Sequence, residues 1–169
     1  MNDKIELFFE RIGRLGTGDR AALKRACGRG LDEADGHAFG VFYKTLPFGV
    51  SKWDEDKWFC CACLACLWPT DVTGEPFEEC LAKLKEKTSN SFEKRVITLL
   101  DTEWSNDNRL ALRLYRMAKI MKQKELNPDM ASLLNDLCQW NRTDRYVQKK
   151  WARAFYQEQK SKEEQTNVD

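Results

Sequence analysis

A chain of 169 residues fits one domain and can bury roughly 70% of the surface its unfolded form exposes, so no disulfide or metal staple is needed to fold it. With 28 Lys and Arg against 27 Asp and Glu the net charge is +1, which excludes a global basic field; any nucleic-acid role must come from local clustering. The chain shows neither a signal-peptide core nor a run of ~18 apolar residues, and its seven cysteines are odd in number and crowded at Cys60, Cys61, Cys63 and Cys66. The expectation is a soluble cytoplasmic protein with reduced thiols and no membrane contact.

The elements read as all-α, a compact bundle of about seven to nine helices. In residues 3–13, Ile5, Phe8, Phe9 and Ile12 recur at i, i+3, i+4 and i+7. Thr17 is the expected cap of a second helix, 19–27, in which Arg20, Lys24 and Arg25 stand side by side. Phe39, Phe42, Tyr43 and Leu46 mark a third, stopped by Pro47 and Gly49. Ser51 opens a fourth through Trp68, whose second half, WFCCACLACLW, is apolar all round and so buried on most sides or against a partner.

Pro76 starts a helix carrying Phe77, Cys80, Leu81 and Leu84, and a polar run at 85–90 is a candidate division of the domain. Ser91 caps the next, with Phe92, Val96, Leu99 and Leu100 inward and Lys94 and Arg95 pointing elsewhere. In 108–124, Leu110, Leu114, Met117, Ala118 and Met121 face inward. No acid occurs from Arg109 to Lys124, and Arg109, Arg113, Arg116 and Lys124 fall in one roughly 80° arc with Lys119 on its flank. Asn127 before Pro128 opens a helix that ends at Trp140. The stretch 140–156, capped by Thr143, is read as a basic and aromatic helix with Arg142, Arg145, Lys149 and Arg153 in a second arc of roughly 80°. The domain thus spans 1–156, and 157–169 is a polar tail expected to fray.

Enzyme signatures are absent. The tetrapeptide at 32–35 spells DEAD, but a helicase also needs a phosphate-cradling G-x-x-x-x-G-K-[ST] loop, which this chain lacks. His37 is the only histidine and sits in no nucleophile pattern, and no acid occupies an apolar helical position where paired carboxylates would work. Cys60, Cys63 and Cys66 share a helix face, with Cys27, Cys80 and Cys138 as completing ligands for a metal; Cys61 points away, and free cysteine packed as a small apolar residue is the simpler account. No catalytic residue, metal or cofactor is assigned. One basic stripe is ordinarily a solvated face, but two on neighbouring C-terminal helices, with Asp144 the one acid inside them, point to a nucleic-acid backbone. The rings of Trp140, Tyr146, Trp151 and Phe155 lie at apolar positions and are assigned to packing. The competing reading is a helical adaptor that docks another protein through the apolar 58–68 helix, its bases merely solvated.

Five stretches taken together carry a resemblance: RAALKRA at 20–26, FYKTLP at 42–47, FEKRVITLLD at 92–101, DLCQWN at 136–141 and VQKKWARAFY at 147–156. In order and spacing the chain resembles the CasB family, small subunit of the type I-E CRISPR Cascade surveillance complex. The resemblance implies a non-catalytic all-helical subunit of a ribonucleoprotein. Its implied partners are the backbone and large subunits on their guide RNA, a second copy of itself arranged head to tail, and the target and displaced DNA strands of the R-loop. It places the family's basic positions at Arg20, Lys24, Arg25, Lys94, Arg95, Arg113, Arg116, Arg142 and Arg145; helical geometry adds Arg109, Lys119, Lys149 and Arg153. The cysteine-rich helix has no counterpart in the resemblance.

Overall fold

The computed structural model describes residues 1–70, 73–85, 87 and 89–166, with side chains as far as Gln157. Among the described residues it holds nine α-helices and no strand: α1 (Asn2–Gly13), α2 (Thr17–Arg25), α3 (Gly36–Thr45), α4 (Glu55–Ala65), α5 (Phe77–Lys85), α6 (Ser91–Leu100), α7 (Arg109–Gln123), α8 (Met130–Cys138) and α9 (Tyr146–Thr166). A single 3-10 turn, Leu31–Glu33, links α2 to α3.

The periodic apolar residues become the core. Ile5, Phe8 and Ile12 of α1, Phe42 of α3, and Leu110, Leu114, Met117 and Met121 of α7 are buried in one continuous cluster. At its centre runs α4, buried at every position from Trp58 to Leu64. It packs on α8, α2, α1 and α7, and the Phe8 ring meets Trp58 edge-on at 5.0 Å. The apolar 58–68 stretch is therefore an internal strut, covered by its own chain, which overturns the adaptor reading that needed it exposed. Burial also pushes the Cys27 and Cys80 thiols up to about 12 and Cys66 and Cys138 up to about 11. Among the described residues no group of three or more His, Cys, Asp and Glu is arranged to hold a metal ion.

Helix ends account for most differences from the expected boundaries. Thr17, Ser51, Ser91 and Asn127 were natural caps by residue type, yet Thr17 and Ser91 are already helical, Ser51 accepts only from the Trp53 N–H, and α8 is capped by Asp129, which accepts from the Ala131 N–H at 3.0 Å. The largest shift is at α9. It begins at Tyr146, because Arg145 takes a left-handed conformation (φ 52°) and Asp144, not Thr143, accepts from the Tyr146 N–H at 3.1 Å. Residues 140–145 are therefore turn, and Arg142 and Arg145 stand off the helix whose face they were expected to share. The backbone of α9 continues as helix to Thr166. The side chains of the polar tail and residues 167–169 fall outside the described residues, as do Glu86 and Thr88 in the candidate division at 85–90.

The C-terminal helices are locked by one buried ring system. Trp151 of α9, 1% exposed, stacks on Phe77 of α5 (centroids 5.1 Å, 23°) and meets Trp140 edge-on at 5.0 Å. Its Nε1–H donates to Asp136 Oδ2 at 2.8 Å, while the Lys150 ammonium donates to Oδ1 of the same carboxylate and lies 3.8 Å from Glu78. Asp136 and Glu78 are thus buried acids on helix faces where the sequence showed none, and a carboxylate with charge and hydrogen bonds satisfied on both oxygens, as those of Asp136 are, is tolerable where a lone one would not be. At the other end, Gly28 is required twice over: its φ is +79°, and a Cβ there would stand 2.8 Å from Tyr115 Cδ1 of α7.

Candidate nucleic-acid interface

Where the thirteen basic residues find partners decides which of them are available to a ligand. Arg20 turns inward: its guanidinium donates to the carbonyls of Trp68 (2.8 Å), Ala65 (3.3 Å) and Ile12 (3.3 Å), so it caps the C-terminal ends of α1 and α4. It is a structural residue, placed by acceptors far away in sequence, and it leaves the stripe expected with Lys24 and Arg25, which stay exposed on α2. Arg109 pairs with Asp107 at 2.8 Å. Arg142 forks onto Asp144 through Nε (3.1 Å) and Nη2 (2.6 Å), an interaction that holds the Asp144 carboxyl below its usual range. Arg145 donates to the Leu100 carbonyl at 2.8 Å and reaches Asp101 at 3.5 Å. These three are surface cations already engaged by the turns that carry them.

A different set gathers with no ion pair among the described residues. Lys94 and Arg95 of α6 and Arg113, Arg116 and Lys119 of α7 line one groove of about 600 Å³, floored by Met117 and Ile120 and edged by Thr98 and Gln123, with no carboxylate in its lining. The two helices are positioned from beneath. Phe92, Val96 and Leu99 of α6, and Leu110, Leu114, Met117 and Met121 of α7, turn into the core, so the opposite faces must diverge into solvent with their charges on the groove walls. Lys119 also lies 4.6 Å over the Tyr115 ring. Arg113 Nε is buried in the wall and has no hydrogen-bond partner among the described residues. A buried donor left unpaired costs about 1–3 kcal/mol, so an acceptor from a ligand is worth more here than at the surface.

Lys149 and Arg153 lie exposed four residues apart on α9. Lys149 borders a second, shallower depression with Ile97, Leu100 and Tyr156 on the other flank of α6. The two expected stripes therefore do not adjoin; α6 runs between them and contributes Lys94 and Arg95. Sequence reasoning placed all five groove cations in the basic set, with Lys94 and Arg95 of α6 entering through the family resemblance and not through either stripe, and it missed the polar rim of Thr98 and Gln123. Both residues sit on exposed helical positions with no charge to draw notice.

Comparison with known proteins agrees with this architecture. The family model of CRISPR-associated protein Cse2 matches residues 19–156. A Cse2 protein of Thermus thermophilus is 36% identical over 80 residues, a match that spans 47% of this chain and 44% of that relative's length. The crystal structure of a Cse2-family protein from Thermus thermophilus superposes with a TM-score of 0.75 at 28% identity, covering 90% of this chain and 97% of that one. CasB of M. ruber superposes at 0.73 and 23% identity over 95% and 96% of the two chains. A chain of a CRISPR RNA-guided surveillance complex shares the fold at 0.78 and 18% identity, over 98% of both. Matched by the family model across nearly the whole helical body, the chain belongs to the CRISPR-associated Cse2 family, to which the CasB resemblance in its sequence had pointed.

Proposed function

We propose that the chain is a non-catalytic subunit of an RNA-guided CRISPR surveillance complex, and that its α6–α7 groove holds the sugar-phosphate backbone of DNA strands opened by the guide. The observation that carries this is the convergence of Lys94, Arg95, Arg113, Arg116 and Lys119 on one acid-free groove in a chain of nearly zero net charge. Such a groove reads charge and shape and no base edges, which suits a subunit whose sequence information comes from guide pairing. Exchange of a DNA duplex for a guide heteroduplex is nearly balanced, so a few phosphate contacts made only to the opened strands are enough to tip it. Lys24, Arg25, Lys149 and Arg153 extend the field that draws DNA toward the groove; Arg109, Arg142 and Arg145, already paired, contribute less. The working partners are the guide-RNA-bound protein subunits in the cytoplasm, a second copy of the chain, and the target and displaced strands.

The test is the R-loop lifetime of the assembled complex carrying all five groove residues as glutamine. Shortened lifetime with unchanged subunit composition supports the proposal, and a lifetime equal to wild type refutes it.

A further inference from the structure

The end of the molecule formed by the 3-10 turn, α3 and the start of α4 has the opposite character to the groove. Asp32, Glu55, Asp56 and Tyr43 line a depression of about 490 Å³ in which Lys52 is the one cation among the described residues. None of its three carboxylates forms an ion pair among the described residues. Asp56 Oδ1 accepts from the Leu31 N–H at 3.2 Å, and Glu55 Oε2 accepts from the Tyr43 hydroxyl at 2.8 Å. Desolvation first, then the Glu55 hydrogen bond and the charges of Glu55, Asp56 and Asp32, push the Tyr43 hydroxyl up to about 12.

The same α3–α4 connection presents Phe48, 100% exposed, and Trp53, 90% exposed. The loop that carries them is held in place: Pro47 is buried, Gly49 takes φ +80°, its carbonyl accepts from the Lys4 ammonium at 3.1 Å, and Arg11 donates to the Thr45 carbonyl at 3.3 Å. Leaving a Phe and a Trp in water forgoes about 2–3 kcal/mol each, and two exposed rings on one held loop call for a cover. The three carboxylates of the depression repel a phosphate backbone, which favours protein as the cover. The rings of Phe39 and Tyr43 share the depression with these carboxylates, a combination that suits arginine best, whose flat guanidinium stacks on a ring while its fork meets a carboxylate.

We propose that this acidic, aromatic face docks an arginine-bearing apolar segment of a neighbouring protein subunit, an inference that rests on the chain working inside an RNA-guided complex. The complex is assembled without DNA, carrying either Phe48→Ser with Trp53→Ser or Asp32→Lys with Glu55→Lys, and the affinity of the chain for the remaining subunits is read by titration. Each pair should weaken retention by about tenfold or more, as loss of a central aromatic anchor or its charge partner does, with thermal melts unchanged. Arg113→Gln with Arg116→Gln should be retained as wild type while losing DNA, which separates failure of this docking face from failure of the groove. Wild-type retention of both face variants overturns the proposal. So does a defect confined to self-association of the isolated chain, which would make the cover a second copy.

Discussion

Replacing Arg113 and Arg116 by glutamine removes two of the five groove cations and leaves the helix intact, since both side chains project from the outer face of α7. If each neutralises one phosphate, their loss removes two counterion-release terms, and the slope of log K against log salt becomes shallower by roughly 1.4 for a single strand or 1.8 for duplex DNA. At ~0.15 M salt the same terms amount to about a tenfold loss of affinity. The substitution replaces the orphaned Arg113 Nε by a neutral amide at the same depth, so the thermal melt reads any cost to the fold separately from the loss of charge. The assay is DNA capture by the assembled complex across a salt series, with a thermal melt of the isolated chain as control. An affinity loss with an unchanged salt slope would refute the reasoning, because it would locate the effect in shape or assembly and not in phosphate contact.

Other variants separate structural from functional bases and test the packing. Arg20→Ala should cost about 2 kcal/mol by leaving carbonyls at two helix ends uncapped, lowering the melting temperature by ~5 °C without changing the salt slope of DNA capture. Trp151→Phe keeps most of the stack on Phe77 but deletes the bond to Asp136 Oδ2; a loss of about 2–3 kcal/mol, or roughly 8 °C in a melt, is expected. Burial raises the Glu78 carboxyl above its ordinary range in spite of Lys150, so the folded state keeps this proton to higher pH than the unfolded one. Ionisation of Glu78 therefore destabilises, and stability is lost as pH rises from the ordinary glutamate range through the folded value. Glu78→Gln should match wild type in acid and melt higher at neutral pH; a variant less stable at pH 7 would show that the Lys150 attraction outweighs desolvation.

Helix number, order and buried faces were legible because each depends on spacing within a dozen residues, as with Ile5, Phe8 and Ile12 or Leu110, Leu114 and Met117. The apolar run at 58–68 announced burial but not what covered it; neighbours on α8, α2, α1 and α7 supply the cover, and no local pattern names them. The site was half legible. All five groove cations stand out as basic residues, yet whether a base is free depends on acceptors elsewhere in the chain: Arg20 finds the carbonyls of Ala65 and Trp68, and Arg145 finds Leu100. Arg142 was a closer case, because Asp144 two residues on is both its partner and the side chain that starts α9. Between Thr143 and Asp144 residue type alone does not choose the cap; the left-handed turn at Arg145 does.

The claim that the α6–α7 groove holds opened DNA is tested most directly by contact. Thr98 lies exposed on the groove edge, its hydroxyl bonded only to the Lys94 carbonyl of its own helix at 2.8 Å, so a photoreactive side chain placed there disturbs no tertiary contact. In R-loop complexes, irradiation should cross-link position 98 to the target or the displaced strand, while the same group at exposed Leu7 of α1 should not. Equal yields at the two positions, or none from position 98 in complexes that hold DNA, would contradict the account.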